Sequence, residues 1–469
     1  MRLGRTAFLC VMTMLLAVTA TPASAATALG TEPLPLFWAA PFVGMLLSVA
    51  LMPLAAPDFW HRHFGKISAF WALGFLMPCI FVFDIATAAS VTLHTMAAEF
   101  IPFLIILIAL YTVAGGIFVE GQLRGGAIMN TAFLGLGSLL ASLIGTTGAS
   151  MVLIRPLIRA NRARAHNVHV VIFFIFLVSN IGGALTPLGD PPLFLGYLKG
   201  VSFFWPTQHL LMPMLLCLGI LLGVFFVLDS WFFSHEKEAP KIADTAIRVH
   251  GHINILLMIG ILGVVLLTPQ LQLGEKIFFD LHIRVSDLLR DILLLTLAAV
   301  SLWLTPKTAR QGNNFNWHPV REVSFLFITI FLTAIPVLAM LQQGANGTLG
   351  ALTTTVFNVD GTPHNAAFFW MTGVLSAFLD NAPTYLVFFQ LAGGDAPTLM
   401  GPLNTTLVAL SCGAVFMGAL SYIGNAPNFM VRTIAADSGI NMPSFFGFMG
   451  WSCLFLMPVF ALITILFFM

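Results

Sequence analysis

Long runs with almost no charge recur along this chain, and they constrain its fold more than any other feature. They lie near 36–56, 67–86, 100–119, 168–199, 207–232, 253–269, 289–305, 322–341, 403–437 and 445–468. About 20 helical residues cross the ~30 Å hydrocarbon core of a bilayer, so each run can form a span. Composition agrees. Of 469 residues only 20 are Lys or Arg and 19 Asp or Glu, which is 8% charged, against roughly 25% in a soluble domain. So few charges cannot cover a water-exposed surface, which excludes a soluble enzyme or a nucleic-acid-binding protein. The 44 Phe exclude a disordered chain. The fold class is an all-α polytopic membrane protein with the lipid bilayer as its partner. The five cysteines (Cys10, Cys79, Cys217, Cys412 and Cys453) sit in apolar runs without metal-ligand spacing. They read as small core residues rather than disulfides.

Two further apolar stretches, 127–154 and 366–393, are interrupted halfway by polar tips. These are Gly145-Thr146-Thr147-Gly148-Ala149-Ser150 and Asp380-Asn381-Ala382-Pro383-Thr384. Non-helical backbone at membrane depth is tolerated only where protein or a water-filled cavity surrounds it. Both stretches are therefore read as re-entrant hairpins. Residues 1–25 read as a signal peptide: Arg2 and Arg5, an apolar region from Phe8 to Ala20, then Ala23-Ser24-Ala25. An uncleaved first helix is the competing reading. Either one places residues near 30, the mature N-terminus, outside the inner (cell) membrane of a bacterium. The inside loops then hold Arg62, Lys66, Arg124, Arg155, Arg159, Arg162, Arg164, Lys237, Lys241, Arg248, Lys307, Arg310, Arg321 and Arg432. Only Lys199, Lys276, Arg284 and Arg290 fall outside, a clear positive-inside bias. On this map the first hairpin opens to the inside and the second to the outside.

A duplication is visible at one constant offset. Leu139-Leu140-Ala141-Ser142-Leu143-Ile144 aligns with Val374-Leu375-Ser376-Ala377-Phe378-Leu379. Thr186-Pro187-Leu188-Gly189-Asp190-Pro191-Pro192 aligns with Ser421-Tyr422-Ile423-Gly424-Asn425-Ala426-Pro427 at the same shift. Hairpin tip and second interruption are thus equally spaced in two repeats, which begin on opposite sides of the membrane. The chain divides into N-terminal helices (26–99) and a first inverted repeat (100–232, hairpin 127–154, broken helix 168–199). A connecting segment follows (233–321), with two spans and a short amphipathic stretch near 275–290. The second repeat (322–469) has its hairpin at 366–393 and its broken helix at 403–437. Paired interrupted segments in inverted repeats are the mark of a secondary transporter and point to a binding site near the midplane.

The interruptions hold the candidate chemistry. Prolines stop one helix and suit the first turn of the next, which makes Asp190 and Asn425 N-caps of half-helices. Free carbonyls at the breaks suit a cation and free N–H groups an anion, so Asn180, Thr186, Gly189, Asp190, Ser421, Gly424 and Asn425 are candidate substrate or ion contacts. Asp380 carries more weight. An ionised carboxylate at membrane depth is costly, and its repeat counterpart is Gly145, so the repeat itself does not require an acid there. It is the natural proton or cation carrier. Asn381, Thr384, Thr146, Thr147 and Ser150 add neutral oxygens suited to sodium. Asp84, Glu99, Glu120 and His169 read as membrane-surface residues, and Arg155 as a snorkelling side chain. Walker, HExxH and glycine-rich nucleotide motifs are absent from the sequence. No cofactor or enzymatic activity is expected, only transported ions.

Ser179-Asn180-Ile181-Gly182-Gly183-Ala184, running into Leu188-Gly189-Asp190-Pro191-Pro192, resembles the broken-helix segment of the ion transporter superfamily. Phe378-Leu379-Asp380-Asn381-Ala382-Pro383-Thr384 is similar to the outer-hairpin motif of its NhaD-type sodium/proton antiporter and arsenite-pump branches. Gly424-Asn425-Ala426-Pro427-Asn428 resembles the second broken-helix motif. The resemblance covers about residues 100 to 469, and the whole chain is similar to the citrate-transport-like proteins often called sodium:proton antiporters. It implies an elevator-type transporter, often a homodimer, with sodium sites at the hairpin tips. The carboxylate-transporting branch carries Ser-Asn-Thr at both tips, whereas here they read Asp380-Asn381-Ala382 and Gly145-Thr146-Thr147. That departure favours sodium/proton antiport over the alternative, a sodium- or proton-coupled di- or tricarboxylate transporter. A third class, a membrane-embedded subunit that transports nothing, would not need paired interruptions.

Overall fold

The computed structural model describes residues 33–469 apart from 122–123, 237–247, 272, 279–280 and 359. The signal-peptide reading, Cys10, Lys237 and Lys241 lie outside the described residues. Among those described, nine helices are long and apolar enough to cross a membrane. Large apolar side chains such as Phe81, Leu256 and Phe446 project from them, which in water would be a liability and in lipid is a solvent match. Cys79, Cys217 and Cys412 are buried free thiols, and Cys453 is exposed and free.

Ala40–Ala55 and Pro57–Phe83 pack against each other and against His318–Gln342. The third span runs from Ile85 to Ala114, so it starts well before residue 100, where the apolar run alone would place it. Asp84 starts this helix by accepting the Thr87 N–H at 2.7 Å, and a π-turn at Met96–Phe100 lies within it. The first hairpin is Ala127–Ile144 and Thr146–Asn161, joined by Gly145 alone. Its second arm therefore extends past residue 154. On the first arm, Ile128, Leu136 and Leu143 face outward while Asn130, Ser138, Ala141 and Ser142 are buried. A face of small residues lets another backbone approach closely, and the Ser142 hydroxyl donates to the Gly182 carbonyl at 2.5 Å.

The broken helix that follows is Val168–Leu177, a 3-10 turn at Ile181–Leu185, and Pro191–Leu198. The second half repeats this order: hairpin Asn365–Leu379 and Asn381–Leu391, then Asn404–Met417, a turn at Gly418–Leu420, and Ala426–Asp437. Leu211–Ser234 and Phe445–Ile463 close the two repeats. Between them lie Ile253–Leu267 and Val285–Leu304. The amphipathic stretch expected near 275–290 begins as an antiparallel strand pair, Glu275–Phe278 with Leu281–Arg284, leading directly into the second of these helices. Polar and apolar residues alternate with period two in Leu281-His282-Ile283-Arg284, which suits a strand.

A buried ionic cluster fastens the base of the first hairpin. Asp229 accepts hydrogen bonds from Arg164 (2.5 Å) and Asn130 (2.8 Å), and His169 Nε2 lies 2.8 Å from the same carboxylate. Asn130 and Asn161 bond to each other through their amides, so both hairpin arms, the broken helix and Leu211–Ser234 share one network. His169, read from sequence as a membrane-surface residue, is buried within the protein in this network and stacked on Phe232. Removing one partner of a buried ion pair leaves an uncompensated charge. Asp229→Ala is predicted to cost about 3–5 kcal/mol, whereas Glu120→Ala, which breaks an exposed pair with His250, should cost about 0–1 kcal/mol. Denaturation of the detergent-solubilised protein would measure both.

Candidate functional site

The two repeats meet tip to tip. At each break a hydroxyl one helix away ties the loop to the hairpin: Thr186 donates to the Ser142 carbonyl and Ser421 to the Ala377 carbonyl. Gly189 and Gly424 then bring the loop against its own turn. A Cβ at Gly189 would lie 2.1 Å from the Gly183 carbonyl, and one at Gly424 2.5 Å from the Gly418 carbonyl. Thr186 and Ser421 thus spend their hydroxyls on backbone and position the site, and Gly189 also accepts the Thr146 N–H at 2.8 Å.

Asp190 sits at the centre. Its Oδ1 accepts from the Thr146 hydroxyl (3.0 Å) and the Asn425 amide (2.9 Å), and its Oδ2 from the Asn381 amide (2.5 Å). Both hairpin tips and both breaks therefore converge on one carboxylate. Asp190 and Asn425 are counterparts in the duplication, so their mutual bond lies on the axis relating the repeats. Both occupy the N-cap positions expected from sequence, but neither side chain bonds to its own helix. Pro191, Pro192 and Pro427 remove first-turn N–H donors. The Leu193 and Asn428 N–H groups bond to the carbonyls of Asp190 and Asn425 instead. The carboxylate and the amide are left free to reach across.

Around this centre lie two supporting pairs. Ser150 and Ser179 hydroxyls are 2.8 Å apart. The Asn180 amide donates to Asn428 Oδ1 (2.7 Å), and Asn428 donates to the Gly418 and Ser421 carbonyls (2.9 Å each). Ser179 and Asn428 were not singled out as site residues from sequence; their position beside a Gly or Pro break was the available signal. Two buried oxygens here, Asn180 Oδ1 and Asn381 Oδ1, have no hydrogen-bond partner among the described residues. Buried carbonyl oxygens without donors are expensive, and they are the ligand type that hard cations prefer. Thr147 lines a narrow cavity of about 50 Å³ between the first tip and Ile101–Ala114, walled by Phe103, Ile106, Leu110 and Phe194 and touching Asp190. Such a space holds a few waters.

Asp380 is at the edge of this cluster, half-buried, next to Asn381. Its φ of 73° matches the 82° of Gly145, so the duplicated tip demands a left-handed backbone that glycine adopts freely. An aspartate held there costs about 1–3 kcal/mol. Its carboxylate accepts the Ala382 N–H at 3.1 Å, and the Thr384 hydroxyl donates to its carbonyl at 2.8 Å. Thr384 therefore stabilises the tip and does not reach Asp190. Among the described residues, neither Asp190 nor Asp380 has a cationic partner, whereas Glu99 pairs with Lys199 at 2.6 Å. Replacing Asp380 by glycine relieves backbone strain and sacrifices only a cap. The Asp380→Gly protein is predicted to be at least as stable as the wild type, and Gly145→Ala to lose about 1–3 kcal/mol. Thermal unfolding in detergent would compare them.

Over residues 31–468 the sequence matches the family described as Putative citrate transport. Two relatives are the uncharacterized transporters Rv2684 of Mycobacterium tuberculosis and Mb2703 of Mycobacterium bovis. Each is 27% identical over 340 residues, covering 69% of this chain and 73% of the relative. Because the family match runs through both hairpins and both breaks, the chain belongs to this family, and it is a multi-pass membrane transporter rather than an enzyme.

Proposed function

We propose that the protein exchanges sodium for protons across the inner membrane by alternating access, with Asp380 as the group that carries either ion. The observation behind this reading is the pair of carboxylates, Asp190 and Asp380, that meet through Asn381 with no basic partner among the described residues. A carboxylate in a largely dry, apolar setting takes up a proton or a metal cation. Competition of the two for one group makes the exchange obligatory. Asp190, held by three donors, is the second acid of the site, while Asn381 Oδ1 and the Thr384 hydroxyl oxygen complete an oxygen-rich tip for sodium. The hairpins and broken helices would move together past Pro57–Phe83 and His318–Gln342, as in an elevator, in a homodimer whose residues near 30 face outward.

A sodium- or proton-coupled di- or tricarboxylate transporter is the second reading. It is favoured by the family description and by Arg155, a half-buried cation whose Nη1 has no hydrogen-bond partner. Two features weigh against it. Arg155 lies on the second hairpin arm about 12 Å beyond Thr147 at the helical rise of 1.5 Å per residue. Prolines also remove N–H donors from three of the four half-helix starts near the tips, at Pro191, Pro383 and Pro427. An anion would therefore find few donors.

In everted vesicles containing the protein, sodium is predicted to dissipate an imposed proton gradient, and Asp380→Asn to reduce this to background. A fully active Asp380→Asn protein would overturn the proposal. Labelled citrate or succinate uptake into proteoliposomes is predicted to be nil. Measurable uptake that falls with Arg155→Gln would establish the second reading instead.

A further inference from the structure

One cluster of side chains lies outside the transport site and is not used by it. His61, near the start of Pro57–Phe83, faces His318 and Glu322, which are four residues apart and so share one face of His318–Gln342. One donor atom from each of the three residues lies within 4.8 Å of the others. Both imidazoles are exposed and Glu322 is half-buried, so ions from solution can reach the cluster.

Its surroundings hold these donors in place. The buried Trp60 indole donates to Glu322 Oε1 at 3.0 Å, which fixes the carboxylate and leaves Oε2 directed to His318 Nδ1, 3.8 Å away. The His318 ring stands edge-on to Phe64 with centroids 6.1 Å apart, and the His61 ring lies 6.5 Å from Phe429. An outer partner that orients a ligating side chain is characteristic of metal sites. Ligand atoms about 2.0–2.2 Å from a tetrahedral zinc stand roughly 3.3 Å from one another, so the three donors need only small side-chain adjustments to enclose an ion.

We propose that His61, His318 and Glu322 form a binding site for a divalent transition metal of the zinc class. Two imidazole nitrogens and one carboxylate oxygen select such ions over magnesium or calcium, which prefer all-oxygen shells. Three protein ligands leave the fourth position to water. The bound ion would join Pro57–Phe83 to His318–Gln342 beside Phe429, at the first turn of the second broken helix.

The test uses the tag-free full chain in detergent, stripped with a chelator and titrated with zinc against a chromophoric competitor. Cobalt absorption reports coordination directly. One tight equivalent per chain is the expected result, with His61→Ala and His318→Ala each weakening it by about 10–100-fold or more, and the cobalt spectrum lost in both. Both residues are exposed, so the variants should keep the metal-free unfolding midpoint, and Glu322→Gln supplies a third, isosteric check. A His61→Ala/His318→Ala protein that binds zinc as tightly as the wild type would overturn the site, as would a wild type with no stoichiometric binding. Neither outcome depends on what the protein transports.

Discussion

The rest of the structure is organised around one carboxylate. Asp190 is almost fully buried and receives hydrogen bonds from Thr146, Asn381 and Asn425, which come from both hairpins and the opposite break. Helices cannot simply cross at this point, because each must stop short to present a tip. The two hairpins and two interruptions are the backbone solution to that requirement, and non-helical backbone survives there because protein encloses it. The opposite end of the first hairpin is fastened by the Asp229, Arg164 and His169 cluster. The tip is therefore held against Asp190 from both ends.

The duplication explains why the site has the parts it does, and where it departs from symmetry. Thr186 and Ser421 make the same bond to the hairpin in their own repeat, and Gly189 and Gly424 make the same close approach. Against this repeated scaffold, Asp190 faces an amide rather than a second acid, and Asp380 replaces glycine on a left-handed backbone. A second carboxylate at residue 425 would set two charges at hydrogen-bonding distance and force one to be protonated. The asymmetry leaves one buried, hydrogen-bonded acid and one half-buried acid at the rim.

Much of this was legible in the amino-acid sequence, for a physical reason. Glycine, proline and polar residues inside uncharged runs mark the breaks, and the constant offset marks the repeat. Sequence spacing could not reveal contacts across long separations. Asp190 looked like a helix cap because a cap is a local interaction, whereas its partners Asn381 and Asn425 are 191 and 235 residues away. His169 was read as a surface residue for the same reason, since its burial depends on Asp229 from another element. Asp380 stood out as an acid whose repeat counterpart is glycine, but the left-handed backbone it shares with Gly145 is a property of the fold.

Central to the proposed mechanism is that sodium and protons would compete for the same carboxylate. Sodium-induced proton release from the purified protein, followed with a pH dye in weakly buffered solution, tests this most directly because it needs no membrane gradient. The exchange mechanism predicts that adding sodium, but not an equal ionic strength of choline, releases protons from the wild type, and that Asp380→Asn abolishes the release. A wild-type protein that binds sodium without releasing protons, or an Asp380→Asn protein that releases them undiminished, would contradict it.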